Sequence, residues 1–137
     1  MTTVEPAQAN LAATSRRPTD CVFCKIIAGR EPATFVRQWA DAVAIVPLHQ
    51  VTDGHVLVIP RVHVQDASES PHIAGLTMTR AAEIARPPFN IITSAGREAT
   101  QSVWHLHLHI VPRREDDGLA LPWWSGRRTR AARSEHG

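Results

Sequence analysis

The feature of this sequence that most constrains the fold is a strict alternation of polar and apolar residues towards its C-terminal end. From Trp104 to Ile110 the chain reads Trp-His-Leu-His-Leu-His-Ile. A period of two is typical of a β-strand with one buried face, so the pattern predicts a strand over residues 104–110. Its three histidines, His105, His107 and His109, would share one face, and the apolar residues between them would point into a core.

Length and composition predict a single globular domain. The chain has 137 residues, of which 43% are hydrophobic, and its formal net charge is +2. Much of the basic excess lies near the C-terminus, so overall charge does not predict a nucleic-acid partner. No apolar run approaches the ~20 residues that span a bilayer, and no signal peptide is evident, so we expect no membrane partner and a cytoplasmic location. We expect a flexible leader over residues 1–19, a folded domain over 20–124 and a basic flexible tail over 125–137.

The remaining patterns predict an antiparallel α+β domain. Residues 35–36 and 42–46 predict a first hairpin, the β-branched run at 55–60 predicts a central strand, and residues 89–93 predict another strand. Ser70-Pro71 is typical of a helix start, with serine as the cap, and Pro87-Pro88 would stop that helix. Strands in succession with one main helix inserted favour an antiparallel sheet over a doubly wound one.

The histidine row allows three interpretations from the residues alone. Alternate residues on a strand lie about 6.5–7 Å apart, so His105 and His107 could share a catalytic zinc, whereas His105 and His109 could not. The imidazoles could instead line a polar groove. The third interpretation is nucleophilic catalysis, because neutral imidazole attacks phosphorus near neutral pH and flanking imidazoles can bind phosphoryl oxygens. Gln101 and Ser102, immediately upstream, suit contacts to phosphate.

The two cysteines form a Cys-x-x-Cys pair, Cys21 and Cys24. In a cytoplasmic protein this spacing is typical of a metal site or a redox pair rather than a structural disulfide, and two small buried residues would give the same pattern.

Three segments together resemble the histidine triad (HIT) superfamily, in particular its bacterial Hint-like members. The stretch Gln-Ser-Val-Trp-His-Leu-His-Leu-His-Ile-Val-Pro resembles the signature, Cys21-Val-Phe-Cys-Lys-Ile-Ile-Ala-Gly resembles the opening of many bacterial members, and Gly54-His-Val-Leu-Val-Ile-Pro-Arg-Val-His63 resembles their central strand. The resemblance spans residues 20 to about 113 and implies an antiparallel sheet of about five strands with one main helix, pairing into a homodimer.

The resemblance also implies an activity and its residues. The chain would be a nucleotide-binding hydrolase or transferase that acts on the α-phosphate of nucleoside phosphoramidates, phosphate esters or dinucleoside polyphosphates, through a nucleotidyl-histidine intermediate. A purine nucleoside monophosphate moiety would occupy the site. The alternative is a nucleotide-binding or interaction module with little turnover. The implied roles are nucleophile for His107, phosphate contacts for His109, Ser102, Gln101 and Ser94, and support of the nucleophile from the neighbouring strand for His55.

A structural zinc is likewise implied by the resemblance. The positions that hold the metal in bacterial members carry Cys21, Cys24, His63 and His105 here. Such a closed set of four ligands leaves no position for water, so the metal would be structural rather than catalytic.

The chain departs from the family pattern at several positions. Thr100 stands where a glycine is usual, so we expect that loop to lack a residue with positive φ. Pro47 stands where many members have an acidic residue that binds the ribose hydroxyls, and Ser94 replaces a common asparagine. We interpret His49, His72 and His136 as surface residues. Trp123-Trp124 would pack at the dimer interface, at the wall of the site or at the edge of the core.

Overall fold

The computed structural model describes residues 18–121. Within these residues there are five β-strands, two α-helices and two short 3-10 turns. The strands are β1 (Phe35–Gln38), β2 (Ala42–Ile45), β3 (Val56–Pro60), β4 (Phe89–Ile92) and β5 (Leu108–Pro112); the helices are α1 (Val22–Ile27) and α2 (Pro71–Ile84); the 3-10 turns are Pro18–Asp20 and Arg97–Ala99.

The strands form one antiparallel sheet in the order β1-β2-β3-β5-β4. This confirms the predicted α+β fold with five strands and one main helix. The hairpin of β1 and β2 is the expected one, with Phe35 opposite Ile45. β3 is the third of the five strands, which confirms that the run at residues 55–60 forms the central strand.

The two faces of the sheet carry separate cores. On one face α2 packs over a cluster that includes Val58, Ala81 and Leu106. On the other face α1 places Phe23 and Ile26 over residues of β2 and β3. Because β3 is covered on both sides, four of its five residues are buried, which explains its unbroken apolar sequence.

The main helix begins and ends where the sequence signals predicted. Ser70 is its N-cap, and the serine Oγ accepts a hydrogen bond of 3.1 Å from the backbone N–H of Ile73. Pro71 occupies the first turn, where a missing N–H costs nothing. The helix ends at Ile84, ahead of the two prolines.

The predicted strand over residues 104–110 is wrong in its start. β5 begins at Leu108, and residues 103–105 form a bend. The cause lies in the backbone hydrogen bonds: the N–H of Leu106 donates to the carbonyl of Val64, in the loop after β3, instead of joining the sheet. The alternation of burial holds from Leu106 to Ile110, where Leu106, Leu108 and Ile110 are buried and the two histidines between them are half-buried. It fails at His105, which is fully buried. The two-residue period of the sequence therefore predicts which side chains of Leu106 to Ile110 face the core, but it does not predict where the strand begins to pair.

Several expectations concern parts of the chain outside the described residues. These are most of the leader over residues 1–19, the tail over 125–137, His136 and the roles of Trp123-Trp124. Within residues 18–121, no helix is long and apolar enough to cross a membrane.

Candidate active site and candidate metal centre

A cavity of about 830 Å³ lies over the sheet face that α1 covers. Its volume falls in the range of sites for nucleotide-sized ligands. The polar side chains of the catalytic prediction gather at one part of it: His55, Ser102, His107 and His109 all line the cavity. Much of the remaining lining is apolar, including Val22, Ile26, Ile45, Leu57 and Val103.

The hydrogen bond of His107 leaves one ring nitrogen available to react. Its Nδ1 lies 2.8 Å from the backbone carbonyl of His105. A carbonyl only accepts, so Nδ1 carries the proton and Nε2 of the neutral ring carries the lone pair. The ring is half-buried and lines the cavity. It therefore offers a nucleophilic nitrogen that needs no base to deprotonate it.

His55 and His109 form a hydrogen-bonded imidazole pair. The backbone N–H of Val51 donates to Nδ1 of His55 over 3.1 Å, which places the His55 proton on Nε2. That Nε2 lies 3.0 Å from Nδ1 of His109, so His109 accepts there and the neutral ring carries its own proton on Nε2. His55 therefore contacts His109 rather than the expected nucleophile, and it fixes His109 as a hydrogen-bond donor at its other nitrogen.

Burial favours the neutral form of His55, His107 and His109. It is the main cause that lowers the pKa of His55, and it also lowers that of His107 against the opposing effect of the carbonyl of His105. The pKa of His109 falls to about 4, chiefly through burial and then through repulsion from His107 and His55. Near neutral pH these three imidazoles are thus uncharged and have defined donor and acceptor nitrogens.

Phe23 of α1 lies against two histidines of the row. Its ring centroid is 5.1 Å from that of His107 and 5.9 Å from that of His105, and both contacts are edge-to-face. Phe23 is 6% exposed, so the ring is held by the core as well. The position of the His107 ring therefore depends on the position of α1.

Gln101 and Ser94 do not line the cavity. The side chain of Gln101 is buried, where its Oε1 accepts from the N–H of Gly96 at 2.8 Å and its Nε2 donates to the carbonyls of Gln65 and Val103 at 2.8 and 3.1 Å. All of these partners are backbone groups. The amide thus holds the loop that carries Ser102 into the cavity.

Thr100 corrects the expectation that this loop lacks a positive φ. Its φ is 75° and its ψ is 21°, in the left-handed region, where it follows the 3-10 turn Arg97–Ala99. Its backbone N–H donates to the carbonyl of Arg97, which closes the turn. The turn geometry therefore persists without glycine, at the energetic cost of a β-branched residue in that conformation.

A second group of side chains lies beside the cavity, beneath the start of α1. The ligand atoms of Cys21, Cys24, His63 and His105 all lie within 4.8 Å of one another, and they are the four residues of the predicted metal site. Cys21 is the N-cap of α1, and its Sγ accepts from the N–H of Cys24 at 3.3 Å. The group thus joins α1, the loop after β3 and the bend before β5.

The protonation state of His105 makes this group suitable for a metal ion. Its Nε2 lies 2.8 Å from the carbonyl of Pro60, so the proton is on Nε2 and the lone pair on Nδ1 points at the cluster. Nδ1 lies 3.3 Å from Sγ of Cys21 and 3.1 Å from Nδ1 of His63. His107 is not in the group, so this arrangement does not support a catalytic metal shared by His105 and His107.

Two other titratable side chains line the cavity, although the sequence did not indicate them as site residues. His49 is exposed, as expected of a surface residue, but its side chain also contributes to the cavity lining. Glu31, between α1 and β1, lines it as well. No local motif distinguishes either residue, because the tertiary path of two loops places them there. His72, at the start of α2, is exposed as predicted.

Comparison with known proteins agrees with this geometry. A family model described as the HIT domain matches residues 28–116. The chain is 36% identical over 114 residues to "Protein hit" of Bacillus subtilis, covering 76% of this chain and 79% of that protein. It is 32% identical over 109 residues to the adenosine 5'-monophosphoramidase hnt1 of Schizosaccharomyces pombe, covering 75% and 82%.

A solved structure is similar as well. The crystal structure of a Zn-bound histidine triad family protein from Mycobacterium smegmatis superimposes with a TM-score of 0.71 at 33% identity, covering 88% of this chain and 97% of that one.

Proposed function

Since this chain belongs to the HIT domain family, we propose that it hydrolyses or transfers nucleotidyl groups, attacking the α-phosphorus of a nucleoside phosphate derivative with His107. The observation that carries the proposal is the lone pair on Nε2 of His107, left free at the cavity by the bond from Nδ1 to the carbonyl of His105. Similarity to an adenosine 5'-monophosphoramidase supports the same class of reaction.

The reaction proceeds in two in-line steps. In the first step Nε2 of His107 bonds to phosphorus while the bond from phosphorus to the leaving group breaks. The carbonyl of His105 stabilises the positive charge that the ring acquires, because it accepts from Nδ1–H. His109 donates a hydrogen bond from Nε2–H to the departing atom, which takes up a proton from solvent as it leaves, and the Ser102 hydroxyl donates to a phosphoryl oxygen. In the second step water attacks phosphorus and loses a proton to solvent, while the bond from phosphorus to Nε2 breaks and His107 is released as the neutral ring.

The absence of cationic side chains from the described lining of the cavity favours substrates whose leaving group carries little negative charge. Among the described residues that line it there is no lysine and no arginine. A polyphosphate leaving group carries several negative charges, which cationic side chains or metal ions usually balance. We therefore place nucleoside phosphoramidates and phosphate esters ahead of dinucleoside polyphosphates, and we keep a purine nucleoside monophosphate as the part that the cavity binds.

The alternative is a nucleotide-binding module with little turnover. Pro47 favours it, because this residue lines the cavity and has no side-chain acceptor for a ribose hydroxyl. A loosely held ribose would reduce the precision with which phosphorus meets His107.

Turnover by the parent protein and by His107→Asn distinguishes the two functions. The panel contains adenosine and guanosine phosphoramidates, a nucleoside phosphate ester and a dinucleoside polyphosphate. We expect the parent to release nucleoside monophosphate, and a nucleotidyl adduct on His107 to be detectable by mass spectrometry after acid-free quenching. His107→Asn should bind nucleotide without turnover. Nucleotide binding by the parent without release of any product would instead establish the binding module.

We further propose that Cys21, Cys24, His63 and His105 hold a structural zinc ion. Tetrahedral zinc lies about 2.3 Å from sulfur and about 2.0–2.1 Å from nitrogen, which separates its ligand atoms by roughly 3.3–3.8 Å. Three sulfur–nitrogen distances, 3.3, 3.3 and 3.5 Å, fall within this range, the nitrogen–nitrogen distance of 3.1 Å falls just below it, and all pairs of ligand atoms lie within 4.8 Å. Burial and the neighbouring Cys21 raise the pKa of the Cys24 thiol to about 12, an effect that a bound cation would reverse.

Metal analysis tests the zinc proposal. We expect about one zinc per chain in protein purified without added metal, less in Cys24→Ser, and a lower melting temperature after chelation. The absence of zinc from the parent protein would contradict the proposal.

We also propose that the chain forms a homodimer, that its folded domain spans residues 20–124 and that it is located in the cytoplasm. Sedimentation equilibrium of the full chain tests the first of these directly. Limited proteolysis tests the second, with cuts expected before residue 20 and after residue 124.

A further inference from the structure

Among the described residues that line the cavity, Glu31 carries the only carboxylate. The proposed reaction at phosphorus does not use it. Glu31 is exposed, and it belongs to the segment between α1 and β1. A carboxylate in a nucleotide cavity repels phosphate and accepts hydrogen bonds from N–H and O–H groups, so it is expected to face another part of the ligand.

The register of the sheet shows how far Glu31 lies from the phosphate end. One row across the sheet runs from His109 on β5 to Leu57 on β3, then to Ile45 on β2, and ends at Phe35 on β1. Adjacent strands are about 4.8 Å apart, so three intervals separate His109 from Phe35 by roughly 14 Å. Glu31 precedes Phe35 by only a short stretch of chain.

The course of α1 places Glu31 on the same side of the sheet. The helix starts at the β5 side, where Sγ of Cys21 lies 3.3 Å from Nδ1 of His105. The chain then reaches β1, where the carbonyl of Thr34 accepts from the N–H of Val46 at the end of β2. Glu31 lies between the end of α1 and Thr34, so it is on the β1 side of the cavity.

This order matches the three parts of a nucleotide. Phosphate belongs at His107 and His109. Pro47 follows β2, which is nearer to β5 than β1 is, so the position at which family members bind ribose is intermediate. The side of the cavity that adjoins β1 is left for the base. Ile26, in the second half of α1, lines the cavity and suits contact with the flat surface of a base.

We propose that Glu31 reads the edge of the base and makes the cavity selective for guanosine. Guanine presents two neighbouring donors on that edge, N1–H and the N2 amino group, which one carboxylate can accept together. Adenine presents the acceptor N1 beside its amino group, and that lone pair repels a carboxylate. The inference rests on the proposed function, because it assumes that a nucleotide lies with its phosphate at His107.

Base selectivity is tested with guanosine, inosine and adenosine phosphoramidates on the full chain. Inosine retains N1–H but lacks the N2 amino group, so it removes one of the two donors. We expect kcat/KM to decrease in the order guanosine, inosine, adenosine, with about a tenfold range because Glu31 is exposed to water. Glu31→Gln should bring the ratio of guanosine to adenosine close to one or invert it, because an amide both donates and accepts and so can pair with the adenine edge.

The control is Glu115→Gln, which removes an exposed carboxylate that does not line the cavity and should leave the ratio unchanged. Equilibrium binding of GMP and AMP to His107→Asn tests the same preference without turnover, so failure of catalysis and failure of base selection give different results. An equal ratio in the parent and in Glu31→Gln, in both turnover and binding, overturns the inference.

Discussion

Substitution of Phe23 by leucine tests whether α1 positions the nucleophile or only covers the core. The leucine keeps an apolar side chain at a site that is 6% exposed, but it removes the edge-to-face contacts to the rings of His105 and His107. Such contacts contribute about 0.5–1.5 kcal/mol each, so we expect the free energy of unfolding to fall by about 1–3 kcal/mol. Alanine would cost about 3–5 kcal/mol, a large part of the stability of a small domain.

The effect on catalysis should exceed the effect on binding. Without the ring, the imidazole of His107 has more freedom to turn, and small displacements of a reacting group lower the rate steeply. We expect Phe23→Leu to lower kcat by about tenfold while KM stays within about twofold of the parent value. Urea unfolding measures the stability, and steady-state hydrolysis of a nucleoside phosphoramidate measures the kinetic constants.

Val43→Ala is the matched control for this substitution. Val43 belongs to the same core cluster as Phe23 and is 1% exposed, but it does not line the cavity. Loss of its methyl groups should cost about 2 kcal/mol and leave kcat unchanged. If Phe23→Leu is destabilised as Val43→Ala is, yet retains the parent kcat, the ring only fills space and the reasoning is refuted.

Three further predictions concern the loop and the imidazole pair. Thr100→Gly should raise the free energy of unfolding in urea by about 0.5–1 kcal/mol, because glycine adopts the φ of 75° without strain; a loss of stability would contradict this. Gln101→Leu should lower the unfolding free energy by about 1–3 kcal/mol, because it leaves the N–H of Gly96 and the partly buried carbonyls of Gln65 and Val103 without a partner. An unchanged urea midpoint would show that water replaces the amide. Because the pKa values of His55 and His109 are lowered, the latter to about 4, the unfolded chain binds more protons than the folded one below pH 6.5. The free energy of unfolding in urea should therefore be highest above about pH 6.5 and should fall as the pH is lowered towards about 4. An unfolding free energy that does not change over this pH range would refute these pKa shifts.

Patterns that depend on local structure were predictable from the sequence. The helix from Pro71 is defined by a cap and a proline whose effects act within one turn. The unbroken run of β3 reports burial on both faces, which only a central strand has. From Leu106 to Ile110 the alternation correctly separated core residues from cavity residues, because side-chain direction follows the backbone even before strand pairing begins. His105 is the exception, since it is fully buried among the residues of the predicted metal site.

Features that depend on long-range contacts were not predictable. β5 starts late because the backbone of Leu106 bonds to Val64, a partner that no local pattern indicates. Gln101 bonds to backbone groups on two segments, and its residue type alone fits a phosphate ligand equally well. Glu31 reaches the cavity through the path of a loop. In each case the role of the residue depends on groups that are distant in the sequence, and the local sequence around the residue does not identify those groups.

The separation in sequence between Cys21 and His105 also determines the order of events when the chain is synthesised. The two residues lie 84 positions apart, and their contact joins the first helix to the bend before the last strand. A ribosome exposes Cys21 and Cys24 long before His105, so both thiols emerge without the complete set of partners. The first helix can dock in its final place only after nearly the whole domain has been translated. The cavity that this helix covers is therefore among the last features of the molecule to form.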